Sequence, residues 1–122
     1  MGKFRNLTAW RVAMELVDQV YIAVRSFPKS EVYGLSQQMR SAAVSIPSNI
    51  AESRGRFSPR EEQQFLRHAR GSAYELQTQI EIAVRQRLID GKTAEELANL
   101  ANRVGCLVNG LLKSRPPNPG SD

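Results

Sequence analysis

Apolar residues return every three or four positions along most of this 122-residue chain, and that rhythm constrains the fold more than any motif does. A period near 3.6 marks one face of an α-helix, whereas strands alternate every second residue. In the first segment Leu7, Trp10, Met14, Val17, Tyr21 and Val24 follow the 3-4-3-4-3 spacing of a coiled-coil seam. A second stripe, Ala9, Ala13, Leu16, Val20, Ala23 and Phe27, runs directly beside the first. Together they span roughly 160° at 100° per residue, wider than the usual bundle face. Such a helix is either central in a bundle or partly in a subunit interface. Leu16, Val20 and Phe27 are the residues expected at that interface.

Three more amphipathic segments follow, with no convincing strand. FPKSEVYG forms the first link, in which Pro28 stops one helix and Gly34 opens the next. Leu35, Met39, Ala42, Ile46 and Ile50 keep helical spacing through the second segment. The third starts with Ser58 as N-cap, Pro59 at the first helical position and Glu61 closing a capping box. Its expected core stripe is Phe65, Ala69, Ser72, Leu76, Ile80 and Ala83, ending near Leu88. Thr93 with Glu96 makes a second capping box, and the fourth seam is Leu97, Leu100, Val104, Leu107 and Leu111. Ala94, Ala101 and Val108 are left as spare apolar positions. Short links between four helices predict an all-α protein: an antiparallel, up-down-up-down four-helix bundle over residues 1–114. Residues 115–122, rich in proline, are expected to be a disordered tail.

The second segment carries Pro47 inside SAAVSIPSNIAE, where a proline removes a backbone donor and crowds the preceding turn at a cost of roughly 3 kcal/mol. Its neighbours Ser41, Ala42, Ala43, Ser45, Ser48 and Ala51 are small, which gives the ring room and brings hydroxyls near freed carbonyls. A kinked second helix is expected, with Asn49 and Glu52 as partners for stranded polar groups or for an arginine. Close packing explains the proline at least as well as a bend that aims the next loop outward.

Little in the chain suggests catalysis. The single histidine, His68, and the single cysteine, Cys106, cannot build a metal cluster, and no nucleophile elbow, phosphate loop or dinucleotide fingerprint occurs. His68 reads as a polar flank residue, and Cys106 as a small core or interface hydrophobe. No cofactor, metal or catalytic residue is expected. The first residues lack a secretory apolar stretch and no segment approaches ~18 apolar residues, so a cytoplasmic protein without a membrane partner is expected.

Seventeen Lys+Arg against twelve Asp+Glu give a formal charge of +5, and thirteen of the seventeen are arginine, whose planar fork suits phosphate. Arg54 and Arg56 precede Phe57, and Arg60, Arg67 and Arg70 follow on the third helix with Gln63, Tyr74 and Gln77 between and beyond. Arg67 lies about 200° around the wheel from Phe65 and so points away from the expected core. Arginines beside an exposed aromatic suit phosphate contact and base stacking. A merely solvated face, and a Phe57 buried elsewhere, are the competing readings.

FRNLTAW, YGLSQQMRSAAVSIPSNIAE and FLRHARGSAYE together make the chain similar to the four-helix-bundle family of 23S rRNA intervening-sequence proteins, from Phe4 to about Leu88. That family is in turn similar to the accessory variability determinant of diversity-generating retroelements. The resemblance implies a cytoplasmic bacterial bundle that assembles as a homopentamer, and in the retroelement members a nucleic acid and a reverse transcriptase as partners. The chain departs from the family's pattern with Ser53 in place of a glycine and Ser41 in place of an arginine. The expected function is therefore a non-enzymatic homo-oligomer that binds nucleic acid, RNA ahead of DNA, through Arg54, Arg56, Phe57, Arg60, Arg67 and Arg70. The alternative is an oligomeric protein-binding scaffold with no nucleic-acid contact.

Overall fold

Residues 3–31, 34–56 and 58–114 are described by a computed structural model. Phe57 and the expected tail 115–122 lie outside the described residues. Within them the elements are α1 (Thr8–Val24), α2 (Leu35–Ser53), α3 (Pro59–Arg85) and α4 (Gly91–Ser114), with short 3-10 turns at Lys3–Asn6 and Lys29–Glu31. Among the described residues no strand interrupts them.

The helices pack in a ring, each against the next and α4 back against α1. Direction follows from chain length and from named contacts. Five residues separate α2 from α3 and span at most about 18 Å, whereas the nineteen-residue α2 is about 28 Å long, so the chain must reverse. Moving from the Ser45–Ser72 hydroxyl pair (2.8 Å) to the Arg54–Glu62 pair (2.8 Å), positions rise along α2 while they fall along α3. The two helices are antiparallel.

Each helix end has an identifiable cause. The Glu31 carboxylate accepts from the Leu35 N–H (3.1 Å) and so caps α2. A side chain at Gly34 would begin 2.9 Å from the Glu31 oxygen, so the carboxylate would have to move aside. Ser58 Oγ accepts from the amides of Arg60 and Glu61, with Pro59 in the first turn as expected. Helix α4 starts two residues before Thr93. Asp90 Oδ1 accepts from the Thr93 N–H at 2.7 Å, so Asp90 is the cap and Thr93 lies inside the helix. Helix α3 stops at Arg85 rather than Leu88, because the Arg87 and Leu88 amides turn back onto Val84 and Ala83 (3.0 and 2.8 Å), a Schellman closure.

Helix α2 runs unbroken through buried Pro47. Ser48 Oγ and Asn49 Nδ2 each reach back four residues, to the carbonyls of Val44 and Ser45 (both 2.8 Å). Glu52 takes the other expected role and holds Arg56 at 2.9 Å. Where the family pattern has glycine, buried Ser53 ends the helix with its hydroxyl on the Ile50 carbonyl (2.6 Å).

The core corrects the expected helix phase. On α1 the buried side chains are Ala9, Val12, Ala13, Leu16, Val20 and Val24, with Phe27 just beyond. Leu16, Val20 and Phe27 therefore fill the subunit's own interior and are not available at an interface between copies. Most of the 3-4 seam lies outward instead: Met14 and Tyr21 are exposed, Leu7, Trp10 and Val17 are half-buried, and Val24 alone of the seam enters the core. On α3, Leu66 and Ala73 replace the expected Phe65 and Ser72 in the interior. On α4, Ala101 and Val108, expected to be spare, are fully buried, while Leu100, Leu107 and Leu111 lie at the margin. Cys106 is exposed rather than packed in the core. The interior mixes sizes: Ala13, Ala43, Ala69, Ala73 and Ala101 are fully buried beside Leu16, Met39, Ile46, Ile50 and Leu76, so small and large side chains interdigitate and bulk alone does not mark the buried stripe.

Candidate nucleic-acid interface

The expected arginines divide into two sets. Arg54 and Arg56 flank the turn after α2, and both are held by carboxylates. Arg54 donates to Glu62 Oε2 (2.8 Å), and that carboxylate sits at the buried base of α3's first turn. Arg56 donates to Glu52 Oε2 (2.9 Å) and lies over the Phe65 ring at 4.7 Å, a cation–π contact. Phe65, expected in the core, is thus the plate on which an arginine rests, and it also meets exposed His68 edge-on at 6.3 Å.

Arg60, Arg67 and Arg70 differ, since among the described residues none of them pairs with a carboxylate. Arg60 uses only its main-chain N–H, on Ser58. Arg67 donates to the Gln63 side-chain carbonyl (3.3 Å), and Arg70 reaches across to Asn109 Oδ1 on α4 (3.1 Å). An amide oxygen leaves the guanidinium charge uncompensated. Arg60 and Arg67 are exposed and Arg70 is half-buried, so two full cations stand on the outer face and a third borders it. Phe57 lies outside the described residues, and exposed Tyr74 is the aromatic on the same outer face as Arg60 and Arg67.

An open groove lies on another side of the bundle, between α1 and α4 at the α3–α4 turn. It takes in about 1180 Å³, and its lining includes the apolar Ile22, Val84, Leu88 and Leu100. Glu15, Asp90 and Glu96 line it with Arg87, and the carboxylates outnumber the arginine. Hydrogen bonds from the Thr93 amide and side chain hold the Asp90 carboxyl below the ordinary carboxylate range, with a smaller contribution from Lys92. Sequence reasoning missed this groove because its lining comes from three separate segments with no shared spacing.

Fold and surface together define a class: a small basic four-helix bundle with an arginine crest on its third helix. Within that class the family is shown. The chain belongs to the 23S rRNA-intervening sequence protein family, which it matches over residues 5–110. Among solved structures, a protein of unknown function from the S23 ribosomal protein family of Bacteroides thetaiotaomicron is similar at TM-score 0.80 and 19% identity. That similarity covers 87% of this chain and 96% of the other, and supports the fold. A comparison with curated proteins returned no match. Among the described residues no helix is long and apolar enough to cross a membrane.

Proposed function

We propose that this protein is a non-enzymatic, cytoplasmic homo-oligomer that binds nucleic acid, RNA ahead of DNA, through the outer face of α3. The observation that carries the reading is the second arginine set, Arg60 and Arg67 exposed and Arg70 beside them, with no carboxylate among the described residues on any of the three. Family membership supports RNA as the polyanion, through the ribosomal RNA element in the family's name. Arg54 and Arg56 are turn-stabilising residues in this reading, with their charges spent on Glu62 and Glu52. Assembly is supported by the outer stripe of α1, where exposed Met14 and Tyr21 run beside half-buried Trp10 and Val17. Repeating a weak phosphate-binding face around a ring multiplies its affinity, and a pentamer is the ring expected from the family resemblance.

Titration of labelled RNA at rising salt tests the binding. Each single-strand phosphate contact adds about 0.7 to the log–log slope, so two or three contacts give roughly 1.4–2.1 for each subunit that the strand engages. Salt-independent binding, or none at low salt, rejects the reading. Light scattering tests assembly, and a monomer at micromolar concentration rejects it.

The groove between α1 and α4 favours a second reading, an oligomeric scaffold for a protein partner. Glu15, Asp90 and Glu96 would repel a polyanion, while the apolar Ile22, Val84, Leu88 and Leu100 among them suit a protein segment. A partner captured from native lysate that survives nuclease treatment supports the scaffold; one released by nuclease supports the RNA reading.

A further inference from the structure

We propose that the crest of α3 selects single-stranded nucleic acid, with Tyr74 as the platform on which an unpaired base stacks. This rests on the nucleic-acid reading above and narrows it to a ligand class and a residue.

From Gln63 to Tyr74 the chain runs QQFLRHARGSAY, three turns of helix with two arginines and a histidine and no acid. Arg60, Arg67 and Tyr74 follow one another at intervals of seven. A seven-residue step returns to within about 20° of its starting direction, so the three share one crest. Gly71 lies on the same crest between Arg67 and Tyr74, and a side chain placed there would meet nothing within 4 Å. The surface between cation and aromatic is therefore flat and open. The flanking acids lie at either end of it: Glu61 and Glu62 in the first turn, where Glu62 holds Arg54 (2.8 Å), and Glu75 and Glu81 beyond Tyr74, where Glu75 accepts from the neutral Gln79 amide (3.4 Å) and Glu81 from Arg85 (3.1 Å).

Tyr74 is 53% exposed, and its ring makes no aromatic or cation–π contact among the described residues. It fills no core. Arg67 and Tyr74 lie about 10.5 Å apart along the helix axis, some three steps of a stacked strand at 3.4 Å per nucleotide. One short strand can thus set a phosphate on Arg67 and a base on Tyr74. In a duplex the base faces are already covered by neighbouring pairs, so only the arginines would be used. Tyr74 then contributes selectivity and the arginines contribute affinity.

The test compares a mixed-sequence 12-nucleotide RNA with the same strand annealed to its complement, by fluorescence anisotropy at low salt. Stacking on one aromatic predicts that Tyr74→Ala weakens single-strand binding about 5- to 100-fold and leaves duplex binding within about twofold. Tyr74→Phe keeps the ring and should bind as wild type does. Arg67→Ala should weaken both forms. The ring stands outside the core, and unchanged circular dichroism of Tyr74→Ala would separate a binding effect from unfolding. Equal losses for single strand and duplex, or no loss for either, overturn the platform while leaving the arginine reading intact. Failure of the wild-type protein to bind either form overturns both.

Discussion

Arg54 at the end of α2 and Glu62 in the first turn of α3 meet at 2.8 Å, across the turn that reverses the chain. The glutamate side chain is 7% exposed and the arginine 34%, so the pair is anchored on its acidic side and wetted on its basic side. Removing the arginine withdraws the counter-charge from a carboxylate held in the interior. A wholly buried pair broken this way costs about 3–5 kcal/mol. Solvent access to the guanidinium reduces the expected cost of Arg54→Ala to about 1–2 kcal/mol. In a chain of this length that is a fall in Tm of roughly 3–10 °C, measurable by calorimetry. The RNA salt slope of the variant should stay at the wild-type value, since this guanidinium is occupied.

The four helices were legible in the apolar spacing, but the facing stripe of each was not. Two stripes ran side by side on α1, and residue size favoured Trp10, Met14 and Tyr21 over Ala9 and Ala13. The buried stripe mixes sizes, alanines beside Leu16 and Val20, so side-chain bulk does not mark it. The shift in phase predicts unequal costs for adjacent residues on α3. Leu66 is buried, so Leu66→Ala should cost about 2–5 kcal/mol. Phe65→Ala removes a half-buried ring under Arg56 and should cost less than about 1.5 kcal/mol. Denaturant midpoints at unchanged slope would measure both, and the reverse order would restore the phase first expected.

Arg87 has φ of 61°, a left-handed conformation that favours glycine, at the point where the chain leaves α3. An L side chain there costs about 1 kcal/mol or more relative to glycine. Arg87→Gly should therefore stabilise the bundle by about 0.5–1 kcal/mol despite the greater freedom of the unfolded chain. A rise in Tm checks it. A fall would mean that the guanidinium makes a stabilising contribution larger than the backbone strain.

Asp90 caps α4, and the Thr93 hydrogen bonds favour its ionised form, so its pKa is lowered in the folded chain. The sign follows directly. Its contribution is present above the ordinary carboxylate pKa, near 4, and disappears as pH falls through the lowered folded value. Asp90→Asn retains an oxygen acceptor without the proton equilibrium. The stability difference between wild type and variant should narrow below about pH 4 and be flat above about pH 5, as followed by urea unfolding across that range. A constant difference at all pH values would remove the titrating cap.

Of the candidate interface, the clustering of arginines could be read from the sequence and their occupancy could not. Arg54 and Arg56 look like the others as letters, but Glu62 lies eight positions from Arg54 and only the chain reversal brings it close. Glu52 and Arg56 stand four apart, a spacing that does signal a helical pair. Phe65 lies at the margin and not in the expected core for the same reason that the core shifted phase.

That occupancy yields the sharpest contrast for the proposed function. Arg60→Ala and Arg67→Ala each remove an exposed cation without a carboxylate partner among the described residues. Each should lower the single-strand salt slope by about 0.7 for every subunit the strand engages, one phosphate per subunit being no longer neutralised, and the double variant by about 1.4 for every such subunit. Arg56→Ala removes a cation already held by Glu52 and Phe65, and should leave the slope unchanged. Affinity alone does not separate these cases, because a loosened turn also weakens binding. The slope does, since it reports displaced counterions. Equal slope changes from Arg56 and Arg67 would show that carboxylate pairing within the subunit does not decide which arginines meet phosphate, and the assignment of the outer face of α3 as the interface would fall with it.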